Sequence, residues 1–327
     1  MMLAACGAST ASTQAKHGGL APDALPALTH ATLILDFVPN AVHAGVYRAL
    51  AAGYYRAENI DLRVIPPTST AATLALIAAG RADFGFADGS DVATQIDQGR
   101  NAEAIMAIAQ RPLGGLIALA SEHLASPAQL QGKTVGITGV PSDTAVLDTT
   151  VAHAGGDPAR VHIVDVGFNG AQDLVAGRID AFTGFWPADG VQLQVSGHPI
   201  TTFKLDSYGG PAYPGLVAFT TRGLIASDPN LVRAFVAATV RGYEDTLRDP
   251  SRSLHDLLSL NPGLQRRFTQ ASLRAYLPLF DDSGRVRFGT LQAKNVTALS
   301  DWMLAHKLIH HAISPSRYGT NRFLPGQ

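Results

Sequence analysis

Cysteine is almost absent from this chain: one residue, Cys6, in 327. A single cysteine excludes an intrachain disulfide and any zinc centre built on several thiolates. An excess of one charge is missing too. Lys and Arg number 25 against 26 Asp and Glu, and no basic block stands out. A nucleic-acid partner therefore has no electrostatic footprint. No continuous apolar run reaches the roughly 18 residues that a membrane-spanning helix needs. The chain also lacks Gly-x-Ser-x-Gly, His-Glu-x-x-His and a P-loop, so the common hydrolase, metalloprotease and nucleotide-hydrolase signatures are absent. His310-His311 have no spaced partners and read as surface histidines rather than metal ligands. No metal or other cofactor is expected.

What is present is enough to build a large core. Hydrophobic residues make up 46% of the chain and charged residues 16%, in a length that suits two ordinary domains or one large α/β domain. Near the N-terminus, Leu3-Ala4-Ala5-Cys6-Gly7 resembles the bacterial lipobox, in which the cysteine after a small residue is lipidated. Residues Ser9 to Leu25 then read as a polar tether rich in small side chains. Only Met1 and Met2 precede the box, whereas a signal peptide needs an apolar stretch of about 7–15 residues. Either translation begins upstream or Cys6 is an ordinary residue. The position, the tether and the lone cysteine favour lipidation, hence an exported chain held at the membrane by a lipid anchor.

From Ala31 onward, short apolar runs alternate with helical patterns. Strands are expected at 31–37, 61–65, 83–87 and 104–109, with helices at 44–59, 70–81 and 90–98 between them. After Ser126-Pro-Ala-Gln-Leu-Gln-Gly132 the pattern restarts. Strands are expected at 133–138, 161–166, 181–186 and 200–205, with helices at 142–154, 171–176 and 188–195. A strand over 216–220 returns to the first sheet, and the rest is helical. The reading is α/β: two lobes, each a mixed, mostly parallel sheet flanked by helices. Residues 1–30 form the N-terminal segment, 31–119 with 215–327 the first lobe, and 120–214 the second. Two crossings between lobes make a hinge, and the ligand belongs in the cleft, just beyond the carboxyl ends of the strands.

Candidate site residues follow from that rule. Phe37 offers an aromatic face, while Asn40 and His43 offer donors and acceptors, a combination suited to a planar nitrogen heteroaromatic ring. The same residues also suit a turn and a helix cap. Asp88 and Ser90 follow the third strand, and Ser142, Asp143 and Thr144 open a helix; each could meet a polar ligand edge or simply cap. Trp186 follows a strand, facing the cleft or packing under the hinge. Phe37 and Trp186 together would clamp a ring, with Asp189 receiving an exocyclic amine. Tyr208 and Tyr213 lie near the return crossing, bordering the ligand or packing the hinge. Arg111 reads as a hinge residue.

Several of these segments resemble one family. Asp36-Phe-Val-Pro-Asn-Ala-Val-His-Ala-Gly-Val-Tyr47, followed by Gly53-Tyr-Tyr55, is similar to the signature of proteins that bind or make the thiamine pyrimidine. Ala79-Gly-Arg-Ala-Asp-Phe-Gly85, the Ser126–Gly136 entry, Gly177-Arg-Ile-Asp-Ala181, Gly184-Phe-Trp-Pro-Ala-Asp-Gly190 and Tyr208-Gly-Gly-Pro-Ala-Tyr213 match later landmarks. The resemblance implies a type II periplasmic-binding-protein fold and a monomeric substrate-binding lipoprotein. Its partners would be the separate permease and ATPase subunits of an ABC importer. It implies a formylaminopyrimidine-like or hydroxymethylpyrimidine-like ligand, with riboflavin as the alternative. Pyrimidine binders usually carry Asp-Trp and Trp-Asn-x-Glu where this chain has Asp36-Phe37 and Trp186-Pro187-Ala188-Asp189. Related enzymes that synthesise the pyrimidine depend on iron and a cysteine-rich motif, which one N-terminal cysteine does not match. The expectation is a binding protein, not an enzyme.

Overall fold

The first apolar run, Thr29–Ile34, forms β1 in a computed structural model that describes residues 20–21 and 24–326. Cys6 and the lipobox-like segment lie outside the described residues. Strands β2 (Ile60–Ile65), β3 (Phe84–Ala87) and β4 (Glu103–Ala109) follow, then β5 (Gly114–Leu119), β6 (Thr134–Ile137) and β7 (His162–Asp165). Strands β8 (Ala181–Phe185), β9 (Ile200–Lys204) and β10 (Leu216–Thr220) complete the set. They make two five-stranded sheets, ordered β2-β1-β3-β10-β4 and β7-β6-β8-β5-β9. In each, a parallel trio (β2-β1-β3 or β7-β6-β8) meets antiparallel strands, so both sheets are mixed.

The first crossing between lobes falls earlier than the sequence suggested. Gly114–Leu119 belongs to the second sheet, antiparallel to both β8 and β9. The crossing therefore runs through residues 110–113, ahead of the expected boundary at 119, and the return crossing runs through 205–215. The run Gly114-Gly-Leu-Ile-Ala-Leu119 has no turn signal between it and β4 beyond Pro112, which is why it reads as part of the first lobe. The hinge is tied across: the Arg111 guanidinium on the first crossing donates to Asp206 on the second, with Nη2 at 2.7 Å.

Lobe 1 is anchored by its C-terminal helices. Pro229–Arg248 carries Val232, Phe235, Val236, Thr239 and Tyr243 on its buried face, at helical spacing. Asp228 caps it by accepting the Leu231 N–H at 2.9 Å. Phe235 stacks on Phe84 of β3 at 3.8 Å, and the Tyr243 hydroxyl donates to the Val42 carbonyl at 2.7 Å. Burying side chains of this size contributes about 1.5–3 kcal/mol each. The expected helix over 44–59 is two pieces, Ala44–Ala51 and Tyr54–Ala57, broken at Gly53, whose φ of 74° is the left-handed conformation glycine adopts without strain. The exposed edge of β4 is covered by the C-terminal segment, where Ala107 N–H donates to Gly289 and Thr320 N–H to Ala104. Among the described residues no helix is long and apolar enough to cross a membrane.

Candidate functional site

The carboxyl ends of β1, β3, β6 and β8 converge on one cleft between the lobes, as open α/β sheets dictate. It encloses about 960 Å³ with its open mouth included.

Beyond β1, Asn40 is fully engaged in shaping the turn. Its Oδ1 accepts the Val42 N–H at 2.9 Å and its Nδ2 donates to the Val38 carbonyl at 3.0 Å. It still lines the cleft. His43 does not; it is fully buried behind the wall. Its Nδ1 accepts the Asn40 backbone N–H at 3.2 Å, so the ring proton sits on Nε2, which donates to Asp36 Oδ1 at 2.8 Å. Asp36, not His43, reaches the ligand space. The histidine aims that carboxylate instead of touching ligand.

Beyond β3, Asp88 opens the helix Gly89–Asp97 by accepting both the backbone N–H and the hydroxyl of Ser90, at 2.8 and 2.7 Å. The Tyr213 hydroxyl lies 3.4 Å from its other oxygen. Asp91, one turn on, faces lobe 2 and accepts the Ser142 hydroxyl at 2.9 Å. Asp143, in the first turn of Pro141–His153, accepts the Thr138 N–H and hydroxyl at 2.8 and 2.6 Å. Burial pushes Asp88 up to about 7 against the pull of Ser90. Burial, with Asp88 beside it, pushes Asp91 up to about 8, and burial raises Asp143 as well.

Beyond β8, Asp189 folds back to accept the Phe185 N–H at 2.8 Å, and burial pushes it up to about 6. Glycine at 184 permits this: a Cβ there would lie 2.8 Å from both Asp189 Oδ2 and the Phe182 ring. Five aspartates, Asp36, Asp88, Asp91, Asp143 and Asp189, thus line the cleft, and among its described lining residues there is no Lys, Arg or His.

Of the residues singled out from sequence, Phe37, Asn40, Asp88, Ser90, Ser142, Asp143, Asp189 and Tyr213 line the cleft; His43, Thr144, Trp186 and Tyr208 do not. Phe37 meets Phe168 edge-on across the lobes, ring centres 4.5 Å apart. The aromatic partner from lobe 2 is therefore Phe168, with Phe185 and Phe182 beside it, rather than Trp186. Consecutive side chains at the end of a strand point to opposite faces, so Phe185 takes the cleft and Trp186 turns away under Lys204, whose Nζ sits 3.6 Å from its ring centre. Thr144 is carried off the cleft face by helical rotation. Tyr208 packs edge-on against Phe203 inside lobe 2. His310 and His311, both largely exposed, place Nδ1 atoms 3.0 and 3.3 Å from Asp97 and pin the C-terminal segment to the helix Gly89–Asp97.

Two α/β lobes, a double crossing and a cleft at the strand ends define the periplasmic-binding-protein fold. The alkanesulfonate-binding protein SsuA of Xanthomonas axonopodis, solved with MOPS bound, shares this fold. Its TM-score is 0.72 at 15% identity, covering 89% of this chain and 98% of that one. The chain belongs to the NMT1/THI5-like family, whose pattern matches residues 40–253. A formylaminopyrimidine-binding protein of Halalkalibacterium halodurans is 32% identical over 79% of this chain and 76% of its own. The riboflavin-binding protein RibY of Chloroflexus aurantiacus is 28% identical over 100% and 95%. A 4-amino-5-hydroxymethyl-2-methylpyrimidine phosphate synthase of Legionella pneumophila is 26% identical over 90% and 92%.

Proposed function

We propose that this protein is the exported substrate-binding component of an ABC importer, capturing a planar, amino-substituted nitrogen heterocycle of the thiamine-pyrimidine-precursor type. The observation that carries the reading is a cleft with aromatic faces from both lobes and five aspartates uncompensated by any lining cation among the described residues. Aromatic faces accept a flat ring. Carboxylates accept its amine and ring N–H groups. A sulfonate or a phosphate finds no Lys, Arg or His among the described lining residues to offset its charge. That disfavours the ligand class of the sulfonate-binding structural neighbours and the phosphorylated product named for the synthases. The reading is accordingly capture and release without bond chemistry, with permease and ATPase as partners and Cys6 as the site of a lipid anchor.

One second reading, a flavin, is supported by the similarity to the riboflavin-binding protein RibY over the whole of this chain. Thermal melts with 4-aminopyrimidines, riboflavin and alkanesulfonates separate the classes. A ligand at 100 times its Kd adds about 2.7 kcal/mol to stability. A stabilising shift with aminopyrimidines alone supports the first reading. A shift with riboflavin alone selects the second, and a shift only with sulfonates overturns both.

A further inference from the structure

The aspartates of the cleft fall into two groups. Asp36 is held by the His43 ring and Asp189 by the Phe185 N–H, whereas Asp91, one turn past Asp88, meets lobe 2 at Ser142, the neighbour of Asp143. The second group joins three elements and both lobes: the turn after β3, the helix Gly89–Asp97 and the helix Pro141–His153. The other titratable groups packed against it are the Tyr213 and Tyr318 hydroxyls, the first 3.4 Å from Asp88 and the second donating to the Gly89 carbonyl at 3.1 Å. Neither is a cation. Asp91 is only 6% exposed, lines the cleft, and among the described residues receives a single hydrogen bond, from Ser142. A carboxylate can accept about four hydrogen bonds. The other oxygen of Asp91 receives none from the described residues.

Resting on the reading of the cleft as a heterocycle site, we infer that the Asp88–Asp91–Asp143 group is a cation subsite that takes a primary ammonium on the ligand's side arm. The pyrimidine selected is then the free aminomethyl compound rather than its neutral N-formyl amide. Asp88 and Asp91 sit one turn apart at the start of one helix, and Asp143 follows the Ser142 that bonds Asp91, so the three carboxyls repel one another when ionised and the empty cleft favours holding a proton among them. An arriving ammonium replaces one such proton as the counter-charge, and that proton leaves to solvent. A formamide offers one N–H and no charge, and a carboxyl that keeps its proton can donate to the formyl oxygen, so it binds without displacing a proton. The neutral ring edge is left to Asp36 and Asp189, so charge selection and ring recognition occupy different carboxylates.

Titration calorimetry on the purified chain tests this with two probes, 4-amino-5-aminomethyl-2-methylpyrimidine and its N-formyl derivative. At pH 7.5 the amine is expected to bind at least about tenfold more tightly, a margin typical of one desolvated charge pair. Its binding should release protons, read as an enthalpy that varies with buffer ionisation. At pH 5.5 the amine should lose most of that margin while the formamide changes little. Asp91→Asn retains the acceptor for Ser142 and should bring the ratio of amine to formamide affinity towards one and abolish the proton release; Asp143→Asn provides the same readout should the first variant fail to fold. A formamide that binds as tightly as the amine, or a preference that survives both substitutions, overturns the cation subsite. Failure of both pyrimidines to bind overturns instead the underlying reading of the cleft.

Discussion

The Ser142 hydroxyl donates to Asp91 Oδ1 at 2.9 Å, and the two residues belong to different lobes. This bond bridges the lobes at the cleft, using groups that also line it. Its donor sits in the first turn of one helix and its acceptor in the first turn of another, so two rigid elements fix its length. Ser142→Ala removes the donor without disturbing either helix. A hydrogen bond to a charged group is worth roughly 1.5–3 kcal/mol, so ligand affinity should fall by about tenfold or more while the ligand-free melt moves little. Equal affinities in calorimetry would show that the bond does not hold the closed state.

A second prediction concerns which aromatic ring holds the ligand. Phe168→Ala removes the lobe 2 partner of Phe37 and should weaken binding by about 1–2 kcal/mol, the value of a stacked aromatic pair with its buried area. Trp186→Ala, on the far side of the strand end under Lys204, should leave Kd within about twofold. Parallel calorimetry on the two variants reads the answer. The reverse ranking would return Trp186 to the site.

That pair also shows what could be read from the sequence. The alternation of strands and helices, and the rule that ligands sit beyond strand ends, led to Phe37, Asp88, Ser142 and Asp189 without any coordinates. Asp91 and Phe168 obey the same rule, being one turn past Asp88 and just past β7, but their local patterns look like a helix turn and a loop. The errors arose where orientation matters more than position. His43 and Trp186 lie within the right segments, yet one points behind Asp36 and the other leaves on the opposite face. Spacing gives the position of a residue along the chain, but only packing gives the side of the wall it faces.

Stability should depend on pH through the cleft carboxyls. Their unfolded values lie near 3.9. In the folded chain Asp189, Asp88 and Asp91 are raised to about 6, about 7 and about 8, chiefly by burial. Between those limits the folded state binds protons that the unfolded state has released, so stability falls as pH rises from about 4 to about 8. The ligand-free protein should melt on the order of 5 °C lower at pH 9 than at pH 6. Asp91→Asn should flatten that slope. A melt that rises over the same interval would mean that water reaching the open cleft relieves the burial of these groups.

The last prediction concerns how the cleft communicates with the far edge of the lobes. Tyr213, which lines the ligand space, stacks on Trp302 with ring centres 6.3 Å apart and planes 18° from parallel. Trp302 belongs to the lobe 1 helix Ala293–Ala305, yet its Nε1 donates at 2.9 Å to Thr149 of lobe 2. One ring therefore touches the cleft wall through Tyr213 and clasps the opposite lobe through Thr149. The bond joins the two lobes, and a hinge opening that parts these two helices breaks it. Trp302→Phe keeps the stacking surface and removes the donor, so it should speed ligand dissociation several-fold while leaving association nearly unchanged, because the lost bond forms after encounter. Stopped-flow fluorescence measures both rates. In a Trp186→Phe background Trp302 is the only tryptophan, and its emission should shift on ligand addition. An unchanged spectrum together with unchanged dissociation would mean that the lobes close without this residue.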